Sequence, residues 1–86
     1  MYFQVQEVLS STFDDEEVLL DLRRGVYFSL NRVGKEIWHL LGEGCSPTTI
    51  IDRIQGRYKV DREIVVHDVE RLVEDLLLED LISCAE

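Results

Sequence analysis

The stretch Leu19-Leu20-Asp21-Leu22-Arg23-Arg24-Gly25-Val26-Tyr27-Phe28-Ser29-Leu30-Asn31, continued by Gly34 and Ile37-Trp38, decides the fold. It reads as a β-hairpin that feeds directly into a helix. Glu17 to Leu22 forms one strand, with Val18, Leu20 and Leu22 expected on its core side, and Val26 to Leu30 forms the next. On that second arm Val26, Phe28 and Leu30 share one face, while Tyr27 and Ser29 share the other, because strand side chains alternate. Arg23-Arg24-Gly25 supplies the turn, where Gly can take the positive φ that a tight hairpin requires. Asn31 suits an N-cap, since its side chain accepts from an otherwise unpaired backbone N–H. A helix from Arg32 to about Leu41 follows, with Val33, Ile37, Leu40 and Leu41 at helical spacing and Trp38 widening that face into the core.

Upstream, Phe3, Val5 and Glu7 alternate with Gln4, Gln6 and Val8 as a first strand, and Ser10-Ser11-Thr12 with Asp14-Asp15 is expected to be a polar loop. Downstream, Ser46-Pro47 combines a cap with Pro at the first helical position, opening a short helix through Ile50, Ile51 and Ile54 to about Tyr58. Asp61 is expected to cap a third helix running to about Glu79. Its apolar residues exceed one stripe: Val65, Val69, Leu72 and Leu76 are expected against the sheet, with Val66, Val73 and Leu77 beside them. Such a breadth belongs either to a deep core or to a face offered to something else. The order predicts an α+β, winged helix-turn-helix-like domain, a three-stranded antiparallel sheet followed by three helices.

Eighty-six residues make one small domain, 1–86, with a thin core. Nine Lys and Arg against 18 Asp and Glu give a net charge of −9, which repels phosphate backbones and anionic membrane surfaces. The third helix is itself acidic, with Arg62 and Arg71 against Asp61, Glu63, Asp68, Glu70, Glu74 and Asp75, so it is not built to enter a DNA groove. Neither nucleic acid nor membrane is an expected partner. The sequence carries no export signal or apolar span, which predicts a cytoplasmic protein with Cys45 and Cys84 as free thiols. His39, His67 and the two cysteines lack paired ligand spacing, so no metal or cofactor is expected. Without a phosphate loop, nucleophile motif or interpretable carboxylate pair, a non-catalytic role is expected as well. Arg23 and Arg24 read as solvated turn residues, and Asp14-Asp15-Glu16-Glu17 as a solvated acidic run.

From about Phe13 to Ile82 the chain resembles the PqqD-like peptide-recognition domains. The resemblance rests on Val18-Leu19-Leu20-Asp21-Leu22, Gly25, Tyr27-Phe28, Leu30-Asn31, Gly34, Ile37-Trp38 and Leu40-Leu41, followed by Asp68-Val69, Leu72, Leu76 and Leu81-Ile82. Asp80 stands where the family commonly has Gly. The resemblance implies a non-catalytic subunit that binds the leader segment of a ribosomally made precursor peptide as an added strand. Among stand-alone members it is most similar to those of lasso-peptide biosynthesis, which implies a leader peptidase or other maturation enzyme as a further partner.

On that mode the implied peptide-binding residues are Val26, Tyr27, Phe28, Ser29 and Leu30 at the strand edge. Val66, Glu70, Val73, Glu74 and Leu77 would form a groove on the last helix, where Glu70 and Glu74 attract basic leader residues. Phe28, Leu30, Val66, Val73 and Leu77 fit the core equally naturally. Three alternatives stand beside this one: a chaperone for another modified peptide such as pyrroloquinoline quinone, a winged-helix regulator, and a small interaction module that swaps strands through its open edge. The chain itself is expected to be a monomer or a weak dimer.

Overall fold

The computed structural model describes residues 1–84. Five strands and three helices follow in the order β1 Tyr2–Gln4, β2 Val8–Phe13, β3 Glu16–Asp21, β4 Val26–Leu30, α1 Arg32–Gly42, α2 Pro47–Tyr58, α3 Arg62–Leu78 and β5 Ile82–Cys84. The expected α+β architecture is present: an antiparallel sheet in the order β2-β3-β4, then three helices. A second, two-stranded sheet pairs β1 with β5, placing Tyr2 opposite Cys84. No helix is long and apolar enough to cross a membrane among the described residues.

Two strand expectations change. Ser10, Ser11 and Thr12 are not a loop but the middle of β2, paired with Leu19, Val18 and Glu17. The buried face of β3 is also the opposite one. Glu17, Leu19 and Asp21 are buried, whereas Val18 and Leu20 are half-buried and Leu22 is exposed. Directly paired residues lie on the same side of a sheet. The register Glu17↔Leu30, Leu19↔Phe28 and Asp21↔Val26 therefore puts Val26, Phe28 and Leu30 on the helix-covered side with them. Leu9, Leu20 and Tyr27, joined by the registers Leu9↔Leu20 and Leu20↔Tyr27, form a row on the other side.

The helices begin and end largely as their caps direct. Asn31 Oδ1 accepts from Gly34 N at 2.9 Å, and Ser46 Oγ from Thr49 N at 3.2 Å. Asp61 occupies the N-cap of α3 without a side-chain cap bond; its carbonyl instead receives the N–H groups of Ile64 and Val65. Ile37, Trp38 and Leu41 of α1 meet Leu19, Ile50, Ile54, Val69 and Leu76 in one buried cluster. On α3 the core positions are Val65, Val69, Val73 and Leu76. Val73 thus takes the place expected for Leu72, which is only half-buried. Cys45 and Cys84 form no disulfide.

Candidate functional site

In the order β2-β3-β4, one side of β4 pairs with β3 and the other has no strand beside it among the described residues. Such an edge presents unpaired backbone N–H and C=O groups. Between this edge and α3 lies an open cavity of about 380 Å³. Ser29 and Leu30 line it from the strand, Val33, Gly34 and Ile37 from α1, and Asp68, Arg71, Leu72 and Asp75 from α3. Positions 68, 71, 72 and 75 fall within one narrow face of a helix with 3.6 residues per turn. The cavity floor is apolar, from Leu30, Val33, Ile37 and Leu72, and its helical rim sets Arg71 between two carboxylates. Gly34 leaves room at the strand–helix junction, where a Cβ would meet Leu30 Cβ at 3.2 Å and Asn31 Oδ1 at 3.3 Å.

The other end of β4 is fixed to α3 by charge. Asp21, fully buried, accepts from Arg23 N at 2.9 Å, Arg23 Nε at 3.0 Å and Arg24 Nε at 2.8 Å. The same two guanidinium groups reach across to the end of α3. Arg23 Nη2 donates to Asp80 O at 2.7 Å, and Arg24 Nη2 to Glu79 O at 2.8 Å. The last turn of α3 contains no basic residue, so these arginines supply the cations that helix C-termini favour. Arg24 also lies over the Phe28 ring, 5.8 Å from its centroid. The hydrogen bonds from Arg23, opposed by burial and reinforced by Arg24, hold the Asp21 carboxyl far below its ordinary 3.8. The two residues expected to be solvated thus hold the hairpin against the helix.

The sequence-derived site residues divide. Val26, Tyr27, Phe28, Ser29 and Leu30 all lie on the edge strand, with Tyr27 75% exposed and Phe28 and Leu30 half-buried against the core. Val66, Glu70, Val73, Glu74 and Leu77 do not line the cavity beside β4. Val73 is in the core, Val66 and Leu77 pack against it, and Glu70 and Glu74 are exposed. Asp68, Arg71, Leu72 and Asp75 were not among the expected groove residues. Their i, i+3, i+4, i+7 spacing around a lone cation was the sequence signal that could have selected them.

A family model described as coenzyme PQQ synthesis protein D (PqqD) matches residues 16–82. That span runs from β3 through β4, the cavity and α3 to the start of β5. No curated protein matches the chain. The solved structure of TbiB1 in complex with the TbiA(beta) leader peptide is 39% identical, with a TM-score of 0.89 over 98% of each chain. A lasso peptide synthetase B1 complexed with the leader peptide is 28% identical, with a TM-score of 0.88 over 96% of this chain and 98% of that one. With the β3–β4 hairpin and all three helices inside the matched region, the chain belongs to the PqqD family.

Proposed function

We propose that this protein binds the leader segment of a precursor peptide in lasso-peptide biosynthesis, as a strand added to β4, and presents it to a maturation enzyme without catalysing a step itself. The observation that carries the reading is the open edge of β4 beside the cavity. Two solved structures that are similar along nearly their whole length hold a leader peptide. Backbone pairing along residues 26–30 provides affinity with little sequence preference, and side chains entering the cavity provide the selection. Leu30, Val33, Ile37 and Leu72 take an apolar leader side chain, while Asp68 and Asp75 favour a basic one beside it. Arg71, between them, restricts how many cations the rim accepts.

A fluorescence-anisotropy titration with labelled leader, against a scrambled control, tests the reading. Selective saturation at about micromolar or tighter is expected. Two neighbouring substitutions then locate the groove. Leu72→Glu should leave the circular dichroism spectrum intact and weaken leader affinity by about thirtyfold, the effect of a single dominant contact. Val73→Glu should instead disrupt the fold, because it puts an unpaired charge into the core. Full affinity in a folded Leu72→Glu variant, or equal binding of the scrambled peptide, refutes the assignment.

A further inference from the structure

The three-stranded sheet has a second uncovered edge. β2 pairs with β3 on one side and has no strand on the other among the described residues. The register Ser10↔Leu19 and Thr12↔Glu17 puts Ser10 and Thr12 on the helix-covered side of the sheet. Leu19 and Glu17 are buried there, yet Ser10 and Thr12 are exposed. The helices therefore cover β3 and stop short of this part of β2, leaving an open cavity of about 690 Å³. Thr12 lines it from the strand, Lys35, His39 and Leu40 from α1, and Arg53 and Arg57 from α2. Lys35 and His39 lie nearly opposite Ile37 around α1, so the helix separates this cavity from the one beside β4.

The charge of this cavity is opposite to that of the molecule. Lys35, Arg53 and Arg57 are three of the nine Lys and Arg in a chain of net charge −9. Two carboxylates share the lining: Glu36 is paired with Arg57 at 3.1 Å and accepts from Tyr58 Oη at 3.0 Å, and Glu43 is exposed at the C-cap of α1. Lys35 reaches the Asp14 carbonyl at 3.4 Å, and His39 the Glu17 carboxylate at 3.2 Å. The Arg53 side chain pairs with no carboxylate among the described residues. It stands one helical turn from Arg57, and like charges at this i, i+4 spacing cost helix stability, a cost that an anion between them removes. At physiological ionic strength charges are screened beyond about 8 Å, so an anion here responds to these cations more than to distant carboxylates. A strand added at β2 would alternate its side chains, one set entering the cavity beside Ser10 and Thr12. Hydroxyls and cations there suit side-chain carboxylates, and Leu40 packs against their methylenes. We propose that the β2 edge and this cavity bind an acidic segment of a partner protein as an added strand, at a site separate from the β4 edge. The turn after β2 is itself acidic through Asp14 and Asp15, which directs the incoming carboxylates toward Arg53. The two sheet edges thus select by opposite charge, cations beside Asp68 and Asp75 and anions beside Arg53 and Arg57.

The test titrates the purified full chain with a short fluorescein-labelled peptide alternating Glu and Thr, beside a control alternating Lys and Thr. Affinity is read by anisotropy and the place of binding by amide exchange. The Glu peptide is expected to bind at about 100 micromolar, to weaken with added salt, and to slow exchange at alternate amides of β2. Arg53→Glu, at an exposed position, should leave the fold and leader affinity unchanged and weaken the Glu peptide about tenfold, the equivalent of one charged hydrogen bond. Full affinity in that variant, or equal binding of the Lys peptide, overturns the cavity as the site. Binding without protection of β2, or free glutamate binding as tightly as the peptide, overturns strand addition. Inorganic phosphate binding more tightly than the peptide assigns the cations to a phosphoryl ligand instead. Displacement of the Glu peptide by excess leader places it at β4 and overturns a second site. No binding at millimolar peptide overturns the whole proposal, and leader binding at β4 is untouched by that result.

Discussion

Two carboxylates sit two residues either side of Leu19 on the same buried face of β3, and they are held in opposite ways. Asp21 is enclosed by two guanidinium groups that are charged at every accessible pH, and those groups continue to the carbonyls of Glu79 and Asp80. Glu17 is held by a neutral hydroxyl, Thr12 Oγ1 at 2.6 Å, and by His39 Nε2 at 3.2 Å, on a half-exposed ring. Burial pushes the Glu17 carboxyl up. Hydrogen bonds from Thr12 and His39, the His39 charge and a bond from Ser10 together bring it below its ordinary 4.5. Both groups are excluded from water, but Asp21 reaches the end of α3 through its two arginines, whereas Glu17 reaches β2 through Thr12 and α1 through the half-exposed His39. The lesson is that burial of a charge says little about its role until its partners are traced outward.

The largest effect expected from this contrast is that of Asp21→Asn. It leaves two guanidinium groups facing a neutral amide and loosens the turn from α3. Urea denaturation should show a loss comparable with truncating Trp38, for which a buried aromatic predicts about 3–5 kcal/mol. Glu17→Gln should lose clearly less, since its amide still bonds Thr12. Equal losses would erase the distinction between the two sites.

Acid separates them next. Each carboxyl has a folded-state pKa below its ordinary value, so each contributes stability that is complete above that value and is lost as pH falls through the folded one. Glu17 starts from an ordinary 4.5 and is lowered, whereas Asp21 starts from 3.8 and is held far lower. Thermal melts between neutral pH and strong acid should therefore lose stability first through Glu17 and last through Asp21. The Glu17→Gln variant should lack the earlier part of that decline. A variant whose melts follow the unaltered protein throughout would show that Glu17 is not the earlier titrant. The smallest expected effect is that of His39→Gln, whose half-exposed pair should matter by less than about 1 kcal/mol in urea denaturation. A larger loss would make His39 a structural partner of the same rank as the arginines.

These carboxylates also explain what could be read from the chain and what could not. Helix starts were legible because Asn31, Ser46 and Pro47 act locally, within one turn. The hairpin was legible because Gly25, at φ +67, sits where the turn demands it. The parity of β3 was not. Val18-Leu19-Leu20-Asp21-Leu22 offers apolar residues at both parities, and pattern reasoning turns carboxylates outward because isolated burial is costly. Thr12, His39, Arg23 and Arg24 reverse that preference, and their positions depend on tertiary structure. The same limit affected α3. Its apolar residues surround more than half the helix, so the face beside β4 could be chosen only once the sheet was in place. Residues 26–30 form an edge strand, whereas Val66, Glu70, Val73, Glu74 and Leu77 lie off the face of α3 that lines the cavity.

The strand pair β1–β5 has a consequence for the order of folding. Tyr2 and Cys84 are joined across almost the whole described chain, so their pairing closes the longest loop in the molecule. Long loops cost the most entropy to close and return little until the intervening elements are packed. The hairpin and the capped helices can assemble from local contacts, leaving this ribbon to form last and to open first. Its opening would free the segment just beyond Asp80, whose carbonyl holds Arg23. In amide exchange, the lowest protection among the strands should appear in β1 and β5, with the hairpin turn following them before the core of β3.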